Sequence, residues 1–143
     1  MNLIFREATL EDAQLLLDWR NDETTRVSSH NMGLLTLSSH VKWLKDSLNN
    51  KHRKILIVEL CGVAVGTVRK DELDNGLVEL SWTVSPEHRG LGLAKAIVCK
   101  VCHETKDKLY AEIKVSNVAS LKSAKAAGFR ISDEIDGVYH LIR

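Results

Sequence analysis

The chain has 143 residues, and its 20 basic and 19 acidic side chains give a formal net charge of +1. That length suits one domain with a real core, and the even charge argues against a nucleic-acid binder that relies on a basic face. No apolar run approaches the ~20 residues of a membrane helix, and residues 1–7 lack the long apolar segment of a signal peptide, so a cytoplasmic protein without membrane contact is expected.

Residues 3–8 alternate as a strand. Thr9 then caps a helix, with Asp12 completing a capping box, and Ala13, Leu16, Leu17 and Trp19 or Arg20 follow on it. Residues 21–35 are polar and aperiodic and are expected to be loop. Leu37, Val41, Leu44 and Leu48 recur at i, i+4, i+7 and i+11, an amphipathic second helix. Residues 55–60 and 63–69 are apolar runs around Cys61-Gly62, a short hairpin. Asp74-Asn75-Gly76 marks a turn, and residues 77–84 form the next strand. A third helix opens at Gly92, residues 109–115 alternate as a strand, and Asn117 starts a fourth helix that Gly128 closes. Two short strands around Asp136-Gly137 finish the chain, Asp-Gly being a good hairpin signal. The order predicts a mixed α/β sheet with a crossover through the third helix.

The junction before that helix reads Pro86-Glu87-His88-Arg89-Gly90-Leu91-Gly92-Leu93-Ala94-Lys95. Glycines at a strand-to-helix turn let a ligand approach the main chain, and the N–H groups of a helix start point into one space with the helix dipole behind them. This is a cradle for a pyrophosphate. A P-loop is excluded, because Gly92 is followed by Leu93 and Ala94 rather than Lys and Ser/Thr. A dinucleotide fingerprint is excluded too, since only Gly90 and Gly92 are present.

Arg89-x-x-Gly92-x-Ala94 resembles the Arg/Gln-x-x-Gly-x-Gly/Ala motif of the GNAT superfamily of N-acetyltransferases. Asn117-Val118-Ala119-Ser120, followed by Gly128-Phe129, is similar to that family's second segment, and the order of elements extends the resemblance over essentially the whole chain. The resemblance implies a GNAT fold: a mixed central sheet of about six to seven strands flanked by four helices, in one acetyltransferase domain over residues 1–143. It implies acetyl-coenzyme A as cosubstrate. The loop of Arg89, Gly90, Leu91, Gly92, Leu93, Ala94 and Lys95 would hold the pyrophosphate, and Asn117 with Ser120 would contact the cofactor as well. Asn117 reads equally as a helix cap, and both roles can coexist. Main-chain groups of Trp82 and Val84 would bond the pantetheine amides through a local splay of strands.

Acetyl transfer to an amine needs a base, and Glu79, five residues before Val84, stands where several relatives place their catalytic Glu. Two readings stand for it: catalytic base, on a face that a one-residue bulge would shift, or a salt-bridged surface residue sharing a face with Ser81 and Thr83. The family's usual Tyr acid falls at Ala124, so Tyr139, or else Tyr110, is the substitute to consider for the thiolate. For the acceptor, the segment Trp19-Arg20-Asn21-Asp22 with Arg26 and His30, and His40-x-x-Trp43-Leu44 after it, looks like acetyltransferases that modify amino-sugar nucleotides. Arg20 and Arg26 would pair with phosphates. Trp19 and Trp43 also read as core residues of their helices. Peptide N-termini, polyamines and antibiotics are the other acceptors of this fold, a non-catalytic coenzyme A-binding module is the non-enzymatic reading, and a homodimer is compatible with the family.

Cys99-Lys100-Val101-Cys102-His103 matches a haem-attachment signature, but that chemistry needs export. Ala96, Ile97, Val101 and Cys102 recur at helical spacing, so a buried pair of free thiols is expected instead. No second Cys/His pair has zinc spacing, and neither metal nor haem is expected.

Overall fold

Seven strands and five helices follow one another in the computed structural model, which describes residues 1–143. β1 (Leu3–Glu7) leads through a 3-10 turn, Leu10–Asp12, into α1 (Ala13–Asn21), α2 (Glu23–Val27) and α3 (Leu37–Leu48). β2 (Arg53–Leu60), β3 (Val63–Glu72) and β4 (Val78–Val84) come next, then a second 3-10 turn, Pro86–His88, and α4 (Leu93–Glu104). β5 (Leu109–Lys114), α5 (Val118–Ala126), β6 (Arg130–Ile135) and β7 (Val138–Ile142) complete the chain. The strands form one sheet in the order β1-β2-β3-β4-β5-β7-β6. Only β4 and β5 are parallel neighbours, and α4 makes the crossover such a pair requires.

Local chemistry sets the first elements. Thr9 accepts from Glu11 N, and Asp12 Oδ2 accepts from Thr9 N at 2.8 Å, the reciprocal capping box read from the sequence. Asp12 also takes two hydrogen bonds from Arg6, at 2.8 and 2.9 Å, which fastens β1 to the helix start. In β2, Ile55, Leu56, Ile57 and Val58 are buried in succession, because helices cover both faces of the sheet there. Leu56 and Val58 pack with Leu80, Ile97, Val101 and Phe129 on the α4/α5 side. Ile55 and Ile57 pack with Leu16, Trp19 and Leu44 on the α1/α3 side.

Two expectations are corrected. Residues 21–35 are not all loop: Asp22 Oδ2 accepts from Thr25 N at 3.3 Å and starts α2, which makes five flanking helices rather than four. None of the residues of α2 is fully buried, so it left no apolar period to read. β4 carries no bulge either. Its register with β3 runs unbroken from Gly66↔Val84 to Glu72↔Val78, and the irregularity lies one strand away, between Val58 and Glu59. At Gly66 a Cβ would stand 2.8 Å from Thr83 O and 3.1 Å from Ile97 Cδ1, so glycine lets β3, β4 and α4 close together.

The parallel pairing of β4 with β5 ends almost as it begins. Val78 faces Leu109 and Glu79 faces Tyr110; beyond them the two strands part. That V-shaped opening positions the site.

Candidate active site

The turn expected to cradle a pyrophosphate has the backbone its glycines imply. Gly90 and Gly92 have φ of +78° and +76°, the left-handed region that costs most residues about 1–2 kcal/mol. Gly92 is the N-cap of α4 and supplies no side-chain bond, whereas α2, α3 and α5 are capped by Asp22, Thr36 and Asn117. The first-turn N–H groups of α4 are therefore available to an anion at the positive end of the helix dipole. Leu93 anchors the turn in the core, while Arg89, Gly90, Leu91, Gly92 and Lys95 are exposed and Ala94 is half-buried.

The opening between β4 and β5 continues from the cradle. Val78 N donates to Lys108 O, and Ser85 N donates to Val65 O. Alternation along a regular strand then turns the N–H and C=O groups of Trp82 and Val84 toward β5, where no strand pairs with them. At ~3.3 Å per residue, Glu79 lies about 17 Å down the strand from Val84.

Glu79 sits on the α1/α3 face, at the apex of the opening. Asp71, Glu79 and Tyr110 are register partners in one row across β3, β4 and β5. Asp71 is held by Arg53 at 2.5 Å and Arg69 at 3.0 Å, whereas no ion pair holds Glu79. Burial pushes the Glu79 carboxyl above the ordinary carboxylate range, and the charge of Glu112 adds to this against the pull of Arg69. Tyr110 donates its O–H to Glu112 Oε2 at 2.8 Å and its oxygen meets His140 Nδ1. His30 Nε2 lies 3.3 Å from Glu112 Oε1, so this sequence-predicted residue is brought to the same face.

Residues 2–130 match the family described as the acetyltransferase (GNAT) domain. The chain belongs to the GNAT acetyltransferase family. It is an N-acetyltransferase, with acetyl-coenzyme A as the acetyl donor of the family. Its fold is similar to that of spermidine N-acetyltransferase from Vibrio cholerae in complex with coenzyme A and spermine, with a TM-score of 0.88, 16% identity, 99% of this chain and 94% of the other covered. It is also similar to an aminoglycoside acetyltransferase in complex with coenzyme A, with a TM-score of 0.83 and 17% identity over 99% of this chain and 94% of the other. No curated protein matches the sequence.

The two tyrosines of this acetyltransferase are separated by the sheet. Tyr139 is the register partner of Ile113 and packs against the α4/α5 core, on the face opposite Glu79. Tyr110 shares the Glu79 face, but burial and Glu112 hold its hydroxyl far above the ordinary phenol range, so it is a poor acid for a thiolate of pKa ~8.5. Ala124 is 0% exposed, so no larger side chain fits at the family's tyrosine position without repacking. Asn117 Oδ1 accepts from Ser120 N at 3.2 Å, which realises the capping role for that pair.

The residues expected at the acceptor divide into packed supports and side chains with unpartnered polar atoms. Trp19 is 6% exposed and packs in the core against Leu16, Leu44 and Ile57, so it supports the site from behind rather than lining it. Asn21 spends its amide closing the loop, donating to Leu35 O at 2.9 Å and accepting from Leu35 N at 2.8 Å. Arg20 donates through Nη2 to Asn31 O, while its Nη1, Arg26 Nε and His40 Nε2 are buried without a partner. Burial, then the charge of Arg20, holds His40 below the ordinary histidine range. His40 is 4% exposed and stacks on Trp43 at 5.5 Å. Its unpartnered nitrogen was not readable in the sequence, where its position at the start of an amphipathic helix showed nothing of Arg20 nearby.

The three cysteines are free: Cys102 is buried, Cys99 half-buried and Cys61 exposed. Burial raises the Cys102 thiol, which suits a packing role. No helix is long and apolar enough to cross a membrane, and no group of three or more His, Cys, Asp or Glu side chains is arranged to hold a metal.

Proposed function

We propose that this acetyltransferase moves the acetyl group of acetyl-coenzyme A directly to the primary amine of a small molecule, an amino sugar nucleotide. One observation carries the acceptor reading: Glu79, a carboxylate free of ion pairs, stands on the α1/α3 face, and unpartnered buried nitrogens lie on Arg20 of α1 and His40 of α3, with the similarly unpartnered Arg26 close enough to act on Arg20. Such a site suits a molecule with an amine at one end and an anion at the other. The donors would take phosphate oxygens, and Trp43, 37% exposed, offers a ring to a base or sugar.

The amide cradle at Gly90–Gly92 suits a pyrophosphate, and Trp82 and Val84 offer main-chain groups to the two amides of pantetheine. The 17 Å between Val84 and Glu79, from ~3.3 Å per residue, is of the order of the pantetheine arm's length. Acetyl-coenzyme A supplies an activated thioester. An amine with a lysine-like pKa of ~10.4 costs about 4–5 kcal/mol to deprotonate at pH 7. Glu79 takes that proton, directly or through water, and its raised basicity fits the task. An amine on a sugar ring is less basic than lysine and lowers this cost. Attack on the thioester carbon forms the amide bond and breaks the carbon–sulfur bond, and the electron pair leaves on sulfur. Releasing a thiolate of pKa ~8.5 at pH 7 costs only about 2 kcal/mol, so direct transfer does not depend on the missing tyrosine.

Ala124, with Tyr110 bound to Glu112, favours a second reading, a coenzyme A-binding module without turnover. Thiol release from acetyl-coenzyme A against amino-sugar nucleotides, peptides and polyamines separates the two. Turnover confined to the nucleotide sugars is expected. Turnover on polyamines or peptides alone would overturn the acceptor assignment, and coenzyme A binding without turnover on any class would favour the module.

A further inference from the structure

The guanidinium of Arg89 is already engaged. Its Nη2 donates to Asp22 Oδ2 at 2.7 Å and to Thr25 Oγ1 at 3.0 Å, across 67 and 64 residues of sequence. Asp22 is both the C-cap of α1 and the N-cap of α2, and the same Oδ2 accepts from Thr25 N at 3.3 Å. One carboxylate oxygen therefore holds the start of α2 and the arginine of the phosphate cradle together. Arg89 is the foremost cause that keeps Asp22 below the ordinary carboxylate range, which leaves it ionised.

Little apolar packing holds α2 in place, because none of its residues is fully buried. Beyond Asp22, polar ties fasten the segment: Lys114 Nζ donates to Val27 O at 3.0 Å, and His30 reaches Glu112. The segment thus hangs between the cradle and β5, across the opening where β4 and β5 part. It also carries Arg26, one of the unsatisfied donors.

We infer that Asp22 is a positioning residue that couples the two substrate sites: through Arg89, a pyrophosphate in the cradle orders the segment that receives the acceptor. This rests on reading Gly90–Gly92 as the coenzyme A cradle. A guanidinium has five donors in a planar fork, and both bonds to α2 use Nη2. Nε and Nη1 remain for phosphate oxygens, so Arg89 can hold Asp22 and the cofactor at once. A phosphate that fixes the guanidinium then fixes Asp22 and the first turn of α2. Coupling of this kind is reciprocal: an acceptor that orders α2 tightens coenzyme A binding by the same factor. The competing geometry, in which the phosphate strips Arg89 from Asp22, loosens α2 and has the opposite signature.

Asp22→Asn isolates the charge, because Asn caps a helix as well as Asp does. The readouts are coenzyme A affinity by calorimetry and hydrogen exchange at the Thr25, Arg26, Ser28 and Ser29 amides, which are bonded within and around α2. In the wild type, saturating coenzyme A is expected to slow these amides at least threefold. D22N is expected to bind coenzyme A about threefold more weakly, in the range of an exposed ion pair, and to lose the cofactor-dependent slowing. If D22N loosens α2 equally with and without coenzyme A, Asp22 is merely structural and the inference falls. Faster exchange on binding in the wild type overturns it as well. No binding of coenzyme A to the wild type would overturn the cradle reading itself, through the calorimetry alone.

Discussion

At the scale of single residues, the proposed chemistry turns on how the sheet treats one carboxylate. Glu79 is half-buried beside Glu112, Asp71, Arg69 and His30, and the balance raises its proton affinity. A base must be ionised to act, so kcat/KM is expected to rise with pH through a value above the ordinary carboxylate range. Glu112→Gln removes the largest like charge, favours ionised Glu79 and is expected to move this acid limb to lower pH. Glu79→Gln is expected to lower kcat by about a hundredfold or more while leaving the KM for acetyl-coenzyme A within about twofold. pH–rate profiles of the three proteins check both statements; an unmoved limb in E112Q or an unchanged kcat in E79Q refutes them. The family resemblance pointed to Glu79, five residues before Val84, while strand alternation left its surface reading open. Its surroundings were not readable: Arg69, Glu112 and His30 come from other elements, and only the pairing of β3, β4 and β5 brings them to it.

At the scale of elements, the turn into α4 makes the sharpest demand on sequence. Gly92 combines φ of +76° with the N-cap position, and a Cβ there meets only the tip of Met1, at 3.9 Å. Gly92→Ala is thus expected to cost about 1–2 kcal/mol of stability through backbone strain rather than a clash. It is also expected to raise the KM for acetyl-coenzyme A at least about tenfold, because relaxing the strain turns the amides out of the cradle. Denaturant unfolding and steady-state kinetics test the pair of effects; a stability loss with unchanged KM would mean the amides do not serve the cofactor. The helices with an apolar face were readable from their period. α2 was not, since it is set by one cap and three polar ties, and none of these leaves a repeat in the sequence.

At the scale of the whole molecule, the sheet divides the work. The larger core, under α4 and α5, backs the proposed cofactor half; the smaller, under α1 and α3, backs the proposed acceptor half. A ligand lodged in the opening of the shared sheet stabilises both together. Coenzyme A at about one hundred times its Kd is therefore expected to add about 2.7 kcal/mol, raising Tm by roughly 5–11 °C. A thermal melt checks this, and an unchanged Tm at saturation would place the ligand elsewhere. The sequence by itself determined the order of the seven strands and of the four helices with an apolar face, the capping box at Thr9 and Asp12, and the left-handed glycines of the turn into α4. All of these are local: a period, a cap or a backbone angle belongs to a few neighbouring residues. Only the tertiary structure decided that Tyr139 lies across the sheet from Glu79, that Arg20 comes near both His40 and Arg26, and that Asp22 meets Arg89. Those outcomes depend on strand pairing and on which helix covers which face, and such contacts between distant residues leave no mark on the local pattern that a single sequence displays.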